Sequence, residues 1–233
     1  MKVIAFLSIQ LICVFGFSQL DTVFTYYSDS TLKSSTIIDS LGQRQGVFQF
    51  FYPNGSLNVC ETFLNGKQFG KSIQYYPSGK VKSIEQFTNG VLSDSAWYYH
   101  QNGALYKKGC YKQFAYDGLW MFYDEQGNLK RSGYYKLGAI DGVWIFYYPS
   151  GGIEFRGEYK NDLKEGEWLK FYENGTLSRK GSYHKNKETG VWKYFSEEGL
   201  LIETGKYAEG KRIGEWKTFN KRGKVKVKVY RAP

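Results

Sequence analysis

At 233 residues, with 42% hydrophobic and 19% aromatic side chains, the chain is too rich in large apolar residues to be disordered. Its formal net charge of +10 makes polyanions and anionic membrane surfaces chemically suited partners. Three cysteines and two histidines, all at different points of the chain, exclude a disulfide scaffold and a plausible zinc set.

The first 18 residues, MKVIAFLSIQLICVFGFS, set Lys2 ahead of an apolar run from Val3 to Phe17 and end in Gly16-Phe17-Ser18. Such a segment reads as a secretory signal peptide cut after Ser18, so the chain is expected to be exported, whether periplasmic, outer-membrane-associated or secreted. A membrane anchor is the alternative, although the run is short against the roughly 20 residues a span requires. Lipid attachment at Cys13 is disfavoured, because Ile12 stands where a small residue would be expected. Residues 19 to 45 then read as a worn capping repeat, with Phe24, Tyr26, Tyr27 and Leu32 in the pattern and Ser30 in the turn position.

From residue 46 to 233 the same plan recurs every 24 residues, in eight copies. Glycine opens the unit at positions 46, 70, 118, 142, 166, 190 and 214, with Asp94 as the one substitute, and a second glycine stands nine residues later in every copy. In the unit from Gly166 to Thr189, Asn174-Gly175 separates an aromatic-rich segment from a mixed one. Asn-Gly between such runs is a hairpin signal, and folding about it brings Phe171 opposite Leu177. Tyr52-Pro53-Asn54-Gly55 and Tyr148-Pro149-Ser150-Gly151 repeat that turn chemistry.

A correlation between glycine and tryptophan joins one unit to the next. Gly109, Gly133, Gly157, Gly181 and Gly205 are each followed eleven residues later by Trp120, Trp144, Trp168, Trp192 and Trp216. Where Glu61 or Glu85 replaces glycine, Ser72 or Ala96 replaces tryptophan. Antiparallel pairing with residues 112 to 117 as the tip sets Gly109 across from Trp120, where a flat indole can lie on bare backbone. The reading is therefore all-β: an elongated antiparallel meander of eight β-hairpin repeats, about seventeen strands in a single twisted sheet. Trp168 and Phe171 are three apart, which predicts aromatic residues on both faces. Cys60 and Cys110, two repeats apart, are expected to be separate and mostly buried thiols.

Toward the C-terminus the balance turns basic. From Thr176 onward there are 15 Lys and Arg against 6 acids, and Lys224, Lys226 and Lys228 alternate with valines in an expected last strand. Lysine there suits either protection of an exposed edge or attraction of polyanions.

The spacing G-x-W-x-x-Y/F-x-x-x-G-x-L-x-x-x-G-x-Y, seen from Gly166 to Tyr183, resembles the bacterial variant of the MORN repeat (membrane occupation and recognition nexus) over residues 46 to 230. The resemblance implies an elongated hairpin array used as a scaffold or interaction surface. Some relatives carry an antitoxin label, a role that fits poorly with export and would come forward only for an unexported chain.

No nucleophile elbow, metal pair or phosphate-binding loop is found, so neither catalysis nor a cofactor is expected. The leading reading is a non-catalytic interaction scaffold at the cell envelope whose partner is a protein or an envelope component, with Tyr98, Tyr148, Tyr172 and Tyr194 as candidate contacts. The alternative is binding of an anionic lipid surface or polyanion, without specific nucleic-acid recognition, through Lys211, Arg212, Lys221, Arg222, Lys224, Lys226 and Lys228. Carbohydrate stacking on exposed rings is a third possibility that the residues do not separate from the first.

Overall fold

A computed structural model describes residues 19–231. The segment read as a signal peptide lies outside them. Nineteen strands form one sheet: β1 (Asp21–Tyr26), β2 (Leu32–Ile38), β3 (Arg44–Phe51), β4 (Leu57–Leu64), β5 (Lys67–Gln68), β6 (Gly70–Tyr75), β7 (Val81–Thr88), β8 (Val91–Tyr99), β9 (Leu105–Lys112) and β10 (Ala115–Tyr123) come first. They continue with β11 (Leu129–Lys136), β12 (Ala139–Tyr147), β13 (Ile153–Lys160), β14 (Leu163–Phe171), β15 (Leu177–His184), β16 (Lys187–Phe195), β17 (Leu201–Ala208), β18 (Lys211–Phe219) and β19 (Val225–Tyr230). Pairing is antiparallel between chain neighbours throughout; β5 and β6 are two parts of one ribbon, both laid against β4. The sheet is an open meander with no helix among the described residues.

Two turns alternate. Within a unit, Gly175 N–H donates to Tyr172 O at 2.9 Å and Tyr172 N–H to Thr176 O at 2.8 Å, which sets Phe171 opposite Leu177 as expected. Between units the turn holds only two residues, both left-handed, such as Asn161 (φ 47°) and Asp162 (φ 66°) between Lys160 and Leu163. Two left-handed residues in a row match the right-handed twist of the flanking strands. The tip that follows β9 is accordingly Gln113-Phe114, narrower than the expected span of 112 to 117.

The pairing of Gly109 with Trp120 is also not a plain one. Asp117 faces Cys110 and Met121 faces Lys108, so Gly118, Leu119 and Trp120 bulge together against Gly109. The bulge explains the glycine that opens each unit. All seven, and Asp94 in the eighth, have φ between 63° and 113°, a conformation that glycine adopts freely and Asp tolerates better than most residues.

Each bulge lays an indole on the glycine of the strand before. A Cβ built on Gly109, Gly133, Gly157, Gly181 or Gly205 would stand 2.1 to 2.3 Å from the nearest ring carbon of its tryptophan. The indole N–H then donates to the carbonyl one residue beyond the glycine: Trp120 to Cys110 O at 2.9 Å, and Trp144, Trp168 and Trp216 to Tyr134, Glu158 and Lys206 O at 3.1 Å. Trp192 makes the same ring contact, but its N–H finds no acceptor among the described residues. Where the lattice has Glu61, Ser72 takes the tryptophan position and donates to the carboxylate at 3.2 Å.

The buried apolar residues all lie on this indole face, while Ser132, opposite Met121, is buried on the other. Alternation along the strands sends Leu119 and Met121 to the opposite face, with Tyr134 beside them. Rings do occur on both faces, yet only one face forms a core. Cys110 follows the glycine and so points to the other face, where it is exposed; Cys60 is half-buried. The expectation of two mostly buried thiols fails because both stand on the uncovered side.

Replacing Gly157 with valine should lower stability by about 1–3 kcal/mol by overpacking against Trp168. Gly175, at φ 83° with nothing within 4 Å of a built Cβ, should lose only about 1 kcal/mol on replacement by alanine. Chemical denaturation of both variants checks the two figures. Equal losses would contradict the difference between a steric and a conformational role.

Candidate functional site

The four tyrosines read from the sequence are engaged inside the array. Tyr98 donates its hydroxyl to Glu85, lies 2.8 Å from the Tyr111 hydroxyl, and stacks 6.5 Å from Trp120. Burial, reinforced by the bond to Glu85, pushes its phenol well above the usual range. Tyr194 sits between Trp192 and Trp216 with its hydroxyl 3.2 Å from that of Tyr207. Tyr148 and Tyr172 donate to Phe171 O and Phe195 O at 2.7 and 2.8 Å. All four rings are half-buried.

Nor does the fold gather the seven predicted cations. Lys211 and Arg212 begin β18, whereas Lys221, Arg222 and Lys224 lie beyond its other end, roughly 27 Å away for a nine-residue strand. Arg212 is committed: it grips Glu203 with two bonds of 2.7 and 3.0 Å and lies 3.8 Å from the Trp216 ring centroid. Lys226 and Lys228 face the indole side, opposite Thr218 and Trp216, which leaves Val225, Val227 and Val229 exposed on the outer side of the edge strand.

A different lysine set comes together on the outer face. Lys180 pairs across with Lys193, Lys193 with Thr204, and Thr204 with Lys217; Lys206 stands beside this row opposite Val191. None of these four lysines forms an ion pair among the described residues. The sequence signal was the residue after tryptophan, lysine in both Trp192-Lys193 and Trp216-Lys217.

Nearer the chain's middle the same face is apolar. Leu119 lies directly opposite Tyr134 at 44% and 49% exposure, Val143 follows, and Trp97, Lys108, Cys110 and Met121 border a shallow hollow of about 280 Å³. The outer face therefore passes from an apolar centre to a basic C-terminal quarter.

On the indole face, Glu61 and Glu85 put carboxylates where the other units have glycine. Glu61 accepts from Gln68 Nε2 at 2.8 Å and from Ser72 Oγ at 3.2 Å, and burial pushes its carboxyl up despite those bonds. Among the described residues no group of three or more His, Cys, Asp or Glu is placed to hold a metal ion.

Five stretches, residues 44–65, 70–89, 116–137, 140–161 and 164–185, match the family model described as MORN repeat variant. No curated protein matches the chain. Similarity over 87% of this chain extends to solved structures, of which three serve as examples. They are TcdB2-TccC3-Cdc42 (11% identity, TM-score 0.22), TcdB2-TccC3 (12%, 0.21) and TcdB2-TccC3 without its hypervariable C-terminal region (12%, 0.20). The chain spans only 13 to 14% of the length of those proteins.

A carboxyl raised in the folded state binds its proton more tightly there than in the unfolded chain, so folding stability falls as pH rises above about 4.5 through the raised value. Glu61→Gln should therefore raise the melting temperature at pH 7 and flatten its decline across that window. A variant with an unchanged pH profile would remove the burial argument.

Proposed function

We propose, from five units that match the MORN repeat variant, that this chain is an exported, non-catalytic repeat protein that serves as an interaction scaffold at the cell envelope. One observation carries the reading: the array closes its core on the indole face and leaves Leu119, Tyr134 and Val143 uncovered on the other. The tyrosines expected from the sequence to make contacts are occupied with internal bonds, so the outer face is the better docking surface. An apolar centre flanked by lysines suits a protein partner with an apolar ridge and acidic surroundings.

The lysine row favours a second reading, attachment to an anionic lipid surface or polyanion through Lys180, Lys193, Lys206 and Lys217. Its pairing across adjacent strands is a specific reason to keep that alternative. Lysines on the last strands also protect the open edge, and the two roles are compatible.

Photo-crosslinking from position 134 in intact cells should trap one envelope partner, whereas Leu119→Glu with Val143→Glu should abolish the product without lowering the melting temperature. Persistence of the crosslink in that variant would refute docking on the outer face. The mature N-terminal mass and cell fraction test export, and an unprocessed cytosolic chain would favour the antitoxin-like reading. For the second reading, sedimentation with phosphatidylserine vesicles should fall with added salt and with Lys193→Glu plus Lys217→Glu; binding indifferent to both would eliminate it.

A further inference from the structure

A column of tyrosines runs along the ends of the within-unit hairpins. Tyr27, Tyr52, Tyr76, Tyr148 and Tyr172 each donate a hydroxyl to a main-chain carbonyl one unit further on, at 2.7 to 2.9 Å. His100 holds the same position, with Nε2 3.2 Å from Tyr123 O. In the two remaining units that have a successor, the position falls on Asp124 and Ser196. Both side chains turn back onto their own hairpins: Asp124 accepts from Gln126 N–H at 3.0 Å and Asn128 N–H at 2.8 Å, and Ser196 Oγ accepts from Leu200 N–H at 3.3 Å.

The consequence is visible in the surface. A cleft of about 620 Å³ opens at Asp124, walled by Phe122, Phe146 and Tyr147 and rimmed by the charged Lys130, Arg131 and Glu154, and one of about 580 Å³ opens at Ser196, walled by Leu200, Ile202 and Phe219. Each cleft includes the residue whose carbonyl the absent ladder ring would have reached, Tyr147 in the first and Phe219 in the second. Neither carbonyl accepts a side-chain hydrogen bond among the described residues. The chain thus fills this position with a phenol in five units, with an imidazole in one, and leaves it open in two.

We propose that these two clefts are sockets for tyrosine side chains of an extended partner segment, which supplies from outside the ring that the ladder lacks. The inference rests on the interaction-scaffold reading and names the chemistry that the scaffold would recognise. The walls provide apolar and aromatic contact for the ring, and the carbonyl accepts the hydroxyl proton, so phenol is preferred over phenyl. The sockets lie three units apart, roughly 29 Å for six strand steps, which an extended segment covers with about nine residues.

The probe is p-cresol, titrated into the full mature chain by NMR with toluene as control. Saturable binding of p-cresol over toluene is expected, with shifts at Tyr147 and Phe219. Asp124→Tyr should abolish the first set and Ser196→Tyr the second, each raising the melting temperature by completing the ladder. Tyr172→Ala should gain a further p-cresol site and recover stability when p-cresol is added, which keeps the test open if a tyrosine variant fails to fold. No binding to the native chain, binding unaffected by either tyrosine substitution, or no new site in Tyr172→Ala would overturn the proposal. Because p-cresol needs no partner, a negative result removes the sockets alone; the crosslinking at position 134 judges the scaffold separately.

Discussion

From β9 onward this sheet depends on an indole lying on a residue that has no side chain. A single-layered sheet has no second layer against which to bury its apolar surface, and a hairpin alone is marginal in water. Here the ring lies down on the strand before it, close enough that even a methyl group would collide. Its N–H satisfies that strand's carbonyl in four of the five cases. The bulge at the opening glycine is the local distortion that brings the ring into position, so the two glycine series serve one contact from its two sides.

Around each indole the neighbouring strands supply the rest of the core. From Tyr135 to Tyr230, tyrosine and tryptophan alternate in an edge-to-face column with centroids 5.0 to 6.3 Å apart, each pair worth about 0.5–1.5 kcal/mol beyond its buried area. Cations close the layer from above: Lys164 lies 4.5 Å from the Trp168 centroid and Arg131 4.6 Å from Phe122. Basic residues such as these are thus part of the core's cover.

Much of this was legible because periodicity ties distant residues to one environment. Phe171 opposite Leu177 followed from the turn, and the indole contact from seven concordant pairs of positions. The two-residue turns were harder to see. Asn65-Gly66 and Asn89-Gly90 carry the signal, yet Gln113-Phe114 and Lys185-Asn186 occupy equivalent tips with ordinary side chains held left-handed by the pairing around them. The basic surface escaped for a different reason. Lysines close in sequence were scattered by the length of β18 and by the pleat, while Lys180, Lys193 and Lys217, far apart in sequence, met across strands. The ladder was hidden too, since Tyr148 and Tyr172 look like free rings until the carbonyl 23 residues away comes into reach.

None of these ties extends far. The indole touches the adjacent strand, and the tyrosine hydroxyl reaches one unit along. From Gly118 onward, excising or copying a 24-residue block between equivalent glycines would leave every kind of contact intact on both sides of the join. Length is therefore a free variable in such an array, open to change by simple duplication, and a lesion in one block is felt by its immediate neighbours while remote blocks keep their geometry.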